Sequence, residues 1–132
     1  MEALLVLFDK RGERVLMCKE KSGAMLDFPH ITIKELEQPN SAALRCLDTV
    51  LDIPSNCVGL EFVRHETIAR RDGTCSSVHV MCGIVNIEKE YSTEDLLFWM
   101  PVSSLDIFTL NSARNGSCFV YLKESCRILE SR

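Results

Sequence analysis

Apolar and polar positions along this chain fall into short runs with strand-like patterning and two stretches with helical spacing. Ala3 to Phe8 and Arg14 to Lys19 are apolar runs around Asp9-Lys10-Arg11-Gly12-Glu13. Asp opening a turn and Gly near its end predict a hairpin-like connection. The apolar residues there are nearly continuous, so at least one strand is expected to be covered on both faces. Glu20 to Leu26 reads as a loop, and Asp27 to Ile33 as a short strand. Pro39 suits a first helical turn, with Gln38 as a weak cap. That helix is expected to reach about Leu51, because Pro54 disfavours helical geometry just before it.

Further on, Val58 to Arg70 and Cys75 to Ile87 flank Arg71-Asp72-Gly73-Thr74, a strong hairpin signal. Val78, Val80, Cys82 and Ile84 share one face of the second strand, with His79 and Met81 on the other. Glu88 to Asp95 is a polar loop, and Leu96 to Val102 a strand ending near Pro101. Ser103 to Asp106 reads as a helix start and Asn111 to Gly116 as a loop. Ser117 to Leu129 has helical spacing, with Val120 or Phe119, Leu122, Cys126 and Leu129 facing inward. The order β-β-β-α-β-β-β-α predicts one α+β domain over residues 1–132, a mixed sheet packed between helices as an α/β/α sandwich.

Composition narrows the function. The 132 residues carry a formal net charge of -4, and no basic cluster suited to phosphate backbones is present, so nucleic-acid binding is not expected. The seven cysteines are odd in number and form no C-x-x-C pair. Reduced thiols in a cytoplasmic protein are the expectation. No stretch reaches the ~20 apolar residues of a membrane span. His30, His65 and His79 lack metal-ligand spacing.

The stretch Phe28 to Ile53, FPHITIKELEQPNSAALRCLDTVLDI, resembles the Nudix box, G-x5-E-x7-R-E-U-x-E-E-x-G-U, where U is bulky and aliphatic. Phe28-Pro29 matches the F-P that often precedes the box. Glu37 matches the first Glu, Arg45 the Arg, Leu47 and Ile53 the aliphatic positions. Val15 to Lys19 looks like the second strand of MutT-like proteins, and Leu97 to Leu105 like their late strand and following helical turn. The resemblance implies hydrolysis of nucleoside diphosphate derivatives, with box glutamates binding Mg²⁺ or Mn²⁺. It also carries an expectation of a homodimer, since homodimers are common in that family.

Several box positions depart from the pattern. Ile31 stands for the opening Gly, Cys46 for the Glu after Arg, Thr49 and Val50 for the Glu-Glu pair, and Asp52 for the last Gly. At ~100° per residue and with Arg45 at zero, Thr49 lies near ~40°, Cys46 near ~100° and Val50 near ~140°. That edge would face a metal cluster if it were acidic. A hydroxyl, a thiol and an isopropyl group do not supply the hard oxygens Mg²⁺ needs. Cys46 also borders the apolar stripe Ala43, Leu44, Leu47, Val50 and Leu51, so an inert buried thiol is expected.

The expected function is therefore a binding or regulatory module with a degenerate box, for a nucleotide-like ligand or a protein partner. No metal or other cofactor is expected. The alternative is a metal-dependent pyrophosphohydrolase using Glu37, oriented by Arg45, with acids such as Glu61, Glu66, Glu94 or Asp95. In that case Glu37 would hold Mg²⁺ or Mn²⁺. Phe98 or Trp99 is a candidate for stacking a base, and Arg64 for binding phosphate.

Overall fold

A computed structural model describes residues 1–19, 26–69, 73–105 and 117–131. The loop expected from Glu20 to Leu26 lies almost wholly outside them, as do Arg71-Asp72, Asp106 and the loop from Asn111 to Gly116.

The strands are β1 (Glu2–Phe8), β2 (Arg14–Lys19), β3 (Leu26–Asp27), β4 (His30–Thr32), β5 (Glu61–Ala69), β6 (Cys75–Ile84) and β7 (Leu97–Pro101). The helices are α1 (Pro39–Thr49) and α2 (Ser117–Glu130). One sheet runs β3-β2-β1-β6-β5, with β4 on β1 and β7 on β2. β1 and β6 are parallel and the other pairs antiparallel. The sheet is thus mixed, with helices on both faces, and the fold is an α/β/α sandwich.

β1 is the central strand, which explains its unbroken apolar run. Leu4, Val6 and Phe8 join Val15, Met17, Val78, Val80 and Cys82 beneath Cys118, Tyr121 and Leu122 of α2. Leu5 and Leu7 join Leu16 and Met81 beneath Ala43, Cys46 and Leu47 of α1. A strand buried on both faces has no polar alternation to show.

The third strand divides in two where the sequence predicts one. At Phe28-Pro29 the chain leaves β2 and joins β1, with the Leu5 N–H donating to the Pro29 carbonyl at 2.8 Å. Asp27 Oδ1 accepts from the Phe28 N–H at 2.8 Å, fixing the corner. The hairpin strands are also shorter than expected. Val58 and Val85 meet only as an isolated bridge, because the chain at Val58 and Gly59 crosses over Gly83. A Cβ on Gly83 would lie 2.8 Å from Val58 Cγ1 and 2.9 Å from the Gly59 carbonyl oxygen. Gly83→Ala is therefore expected to cost about 1–3 kcal/mol, the range for overpacking, measured as a lower urea midpoint.

After β7, the expected helix start is a 3-10 turn at Val102–Ser104. On α2 the buried residues are Cys118, Tyr121, Leu122 and Ser125, while Val120 is exposed. Phe119, Cys126 and Leu129 pack only at the margin. The helix is rolled toward Tyr121, whose ring is buried while its hydroxyl donates to Glu66 on β5.

α1 starts at Pro39 with Gln38 extended at its N-terminus and making no side-chain cap. Its buried face differs from the predicted stripe. Ala42, Ala43, Cys46 and Leu47 are buried, and Leu51 follows them, but Leu44 and Val50 are 44% and 47% exposed. The face therefore centres nearer Cys46, since Ala and Cys let the helix approach the sheet more closely than Leu44 would. Among the described residues no helix is long and apolar enough to cross a membrane.

Candidate functional site

Glu37 and Arg45 meet because the segment after β4 turns back against α1. The Glu37 N–H donates to the Lys34 carbonyl at 3.0 Å, and Leu36 is left-handed (φ 64) with its side chain in solvent. Arg45 Nε donates to Glu37 Oε2 at 2.9 Å, and Nη2 donates to Oε1 at 2.8 Å and to the Thr32 carbonyl at 2.8 Å. Glu37 Oε1 also accepts from the Lys34 N–H at 3.0 Å. Both carboxylate oxygens are engaged. This planar fork is the geometry in which Arg holds a carboxylate best.

The Arg45 hydrogen bonds, then the Lys34 N–H, lower the Glu37 pKa to about 2 from an ordinary 4.5. A general base works best with a pKa near the working pH, so this carboxylate is a weak one. The folded state binds fewer protons than the unfolded state between those two values. Stability from the pair is complete above the unfolded value and is lost as pH falls through the folded one. Acid unfolding should therefore show a loss of thermal stability that starts below about pH 5 and continues down to about pH 2. In Glu37→Gln that loss should be smaller.

The other box positions are built into the scaffold. Cys46 is fully buried, and burial pushes its thiol up to about 11, with Arg45 opposing only in part. Thr49 Oγ1 donates to the Arg45 carbonyl at 2.8 Å, inside the helix. Val50 caps α1, and Ile31 on β4 packs against the α1 core. Asp52, at the place of the pattern's last Gly, is left-handed (φ 52). The Ile53 N–H reaches back six residues to the Leu47 carbonyl at 2.8 Å, so the chain folds back on the helix end just after the left-handed Asp52. Asp tolerates that backbone better than most residues. Asp52 thus sits where the chain leaves α1, in a backbone conformation that a Gly adopts freely.

These positions do not fit a Mg²⁺ or Mn²⁺ cluster, which needs several carboxylate or water oxygens. Among the described residues no group of three His, Cys, Asp or Glu side chains can hold a metal ion. The non-box acids are dispersed. Glu66 binds Arg64 and Tyr121 on the α2 face, and Asp95 caps its own turn through Ser92.

The candidate ligand-binding side chains are not gathered in one place. Phe98 packs into the core beneath α2 and Trp99 into the core beneath α1. Arg64 lies with the α2 face, where Nη1 donates to Glu124 Oε1 at 2.6 Å and Nε pairs with Glu66 at 3.2 Å. Trp99 lines a cleft of ≈ 260 Å³ beside the β1–β2 turn, with Lys10, Arg11, Arg14 and Lys89 around it. Asp9, Glu13 and Glu88 also line it. The Arg14 guanidinium lies 5.7 Å over the indole and is held by Asp9 at 2.9 Å. The indole N–H donates to the Lys89 carbonyl at 2.6 Å.

A second cleft of ≈ 190 Å³ adjoins the end of α1, lined by Val50, Asp52, Lys89 and Tyr91 among others. There Tyr91 donates to the Leu51 carbonyl at 2.7 Å, and Lys89 pairs with Asp52 at 3.1 Å. Burial first, then nearby carboxylates, raises the Tyr91 pKa. Sequence reasoning missed Arg14 and Lys89. Trp99 was the only signal pointing to their place, because the β2–β7 pairing brings Arg14 beside it.

With the fold and these clefts established, the chain can be placed among known structures. No protein-family model and no curated protein sequence matches it. Solved structures do. C. elegans Ap4A hydrolase aligns with a TM-score of 0.72 at 20% identity, over 97% of this chain and 96% of that one. E. coli dihydroneopterin triphosphate pyrophosphohydrolase aligns with 0.72 at 15% identity, over 93% and 92%. The NUDIX domain of Shewanella oneidensis NrtR, solved in complex with ADP ribose, aligns with 0.64 at 13% identity, over 97% and 86%. The chain has the Nudix fold.

Proposed function

We propose that this chain is a single-domain Nudix-fold binding module for a nucleoside-diphosphate-like ligand, with a box too degenerate for metal-dependent hydrolysis. The observation that carries this reading is the state of the box: Glu37 is clamped through both oxygens by Arg45, and Cys46 is buried in the core. A base or metal ligand at Glu37 would first have to break that clamp. The alternative hydrolase, built from Glu37 and acids outside the box, is disfavoured by the dispersion of those acids.

The cleft around Trp99 supplies a binding mode. Lys10 and Arg11 are exposed at its rim and can meet a diphosphate, while the indole offers an aromatic surface to a base. The ADP ribose seen in the NrtR domain is a reasonable first probe for a ligand of this class.

Trp99 is the chain's single tryptophan, so binding can be read directly from its fluorescence. Titration with ADP-ribose in EDTA should give saturable quenching, weakened about tenfold in the Lys10→Ala/Arg11→Ala double variant. The same protein with Mg²⁺ or Mn²⁺ should release no phosphate product. Metal-dependent turnover abolished by Glu37→Gln would instead establish the hydrolase. No quenching across nucleoside diphosphate derivatives would overturn ligand binding at this cleft.

A further inference from the structure

β5 carries an irregularity that rearranges its side chains. Its register against β6 shifts between Phe62 and Arg64: Phe62 pairs with Met81, Arg64 with Val80 and His65 with His79. In a regular strand, residues three apart point to opposite faces. The extra residue, Val63, places Phe62 and His65 on the same face, and bulges are often found where a side chain is re-aimed for function. His79 lies directly across from His65 on that face, with ring centres 5.9 Å apart and planes inclined by 68°. Phe62 closes the other side of His79 at 4.9 Å.

This is the α1 face of the sheet, but α1 packs on β1 and β4. On β1 the residue paired with His79 is the small Ala3. His65 is exposed and His79 half-buried. Among the described residues neither imidazole is engaged in a hydrogen bond. Arg64, the neighbouring cation, is turned to the opposite face and neutralised by Glu66 and Glu124.

We propose that His65 and His79 form a two-histidine site for a divalent first-row transition-metal ion, Ni²⁺, Cu²⁺ or Zn²⁺, which clamps the outer strand β5 to β6. Imidazole is a ligand these ions favour and Mg²⁺ does not. With metal–nitrogen bonds of ~2.0–2.1 Å, two imidazoles on a tetrahedral ion hold their centres ~5.2 Å apart, and a wider angle brings this to ~5.8 Å. The observed separation of 5.9 Å lies close to that wider span, and the exposed ring of His65 is free of hydrogen bonds among the described residues and can turn toward a shared ion. Water fills the remaining positions.

The site is independent of the Trp99 cleft and of the box. The test is calorimetric titration of the full chain with Ni²⁺, carrying Cys75→Ser to remove an exposed thiol. One site is expected, with affinity reduced about tenfold or more in His65→Gln and in His79→Gln. Paramagnetic broadening in the NMR spectrum of the same Cys75→Ser chain keeps the proposal testable if a variant misfolds. His65 and His79 imidazole signals should broaden before that of His30, which sits apart on β4 against Asp27. Unchanged affinity in the His65→Gln/His79→Gln double variant, earlier broadening at His30, or no binding at millimolar Ni²⁺ would overturn it.

Discussion

Replacing Cys46 by Glu is expected to unfold much of the protein, although it restores the residue that the Nudix pattern has there. The Cys46 side chain is fully buried among Leu5, Leu7, Leu47 and Met81. A longer side chain overpacks that site by about 1–3 kcal/mol. An ionised carboxylate without a partner costs several kcal/mol more, or else binds a proton. Arg45, the nearest cation, is already committed to Glu37 and Thr32. The sum rivals the ~5–15 kcal/mol that holds a typical domain folded.

Thr49→Glu and Val50→Glu provide the contrast. Both positions are exposed, and each should shift stability by no more than about 0.5–1 kcal/mol, partly through the negative end of the helix. Thermal unfolding of the three variants side by side checks this. Cys46→Glu with an unchanged midpoint would mean that α1 can present position 46 to a cleft, and would reopen the metal-dependent reading.

The contrast also shows which parts of the molecule were legible in the sequence. Pro39, the Asp9 to Glu13 turn and the alternation of Val78, Val80 and Cys82 act locally, so spacing alone locates α1, the first hairpin and the inner face of β6. The roll of α1 is not local. Hydrophobicity favours Leu44 and Val50 as core residues, but small Ala42 and Cys46 seat the helix more closely. Arg45 then fixes the roll by reaching two acceptors outside the helix, Glu37 and the Thr32 carbonyl.

The cleft was hidden for a similar reason. Arg14, Lys89 and Trp99 belong to three separate segments, joined by the β2–β7 register, by the stacking of Arg14 on the indole and by the indole's bond to the Lys89 carbonyl. Nor does any turn residue mark the β5 bulge. Val63 is an ordinary strand residue, and only pairing with β6 reveals that it is the extra one.

Leu47→Ala is the second large effect. Leu47 is fully buried under α1, and truncating such a Leu costs about 2–5 kcal/mol, depending on how far the cavity collapses. Urea unfolding should show this loss equally with and without EDTA. The reason is that, among the described residues, the protein's own groups hold α1: an apolar face on β1 and β4, the Arg45 fork at Glu37, and Tyr91 and Lys89 at its C-terminal end. A helix anchored through bound metal would lose stability in EDTA before any mutation was made. If EDTA lowers the midpoint in the His65→Gln/His79→Gln background as well, a divalent ion contributes to the α1 scaffold and the box is less degenerate than its residues indicate. If it does not, this Nudix fold stands on its core alone, which would leave its surface clefts free for binding without metal-dependent chemistry.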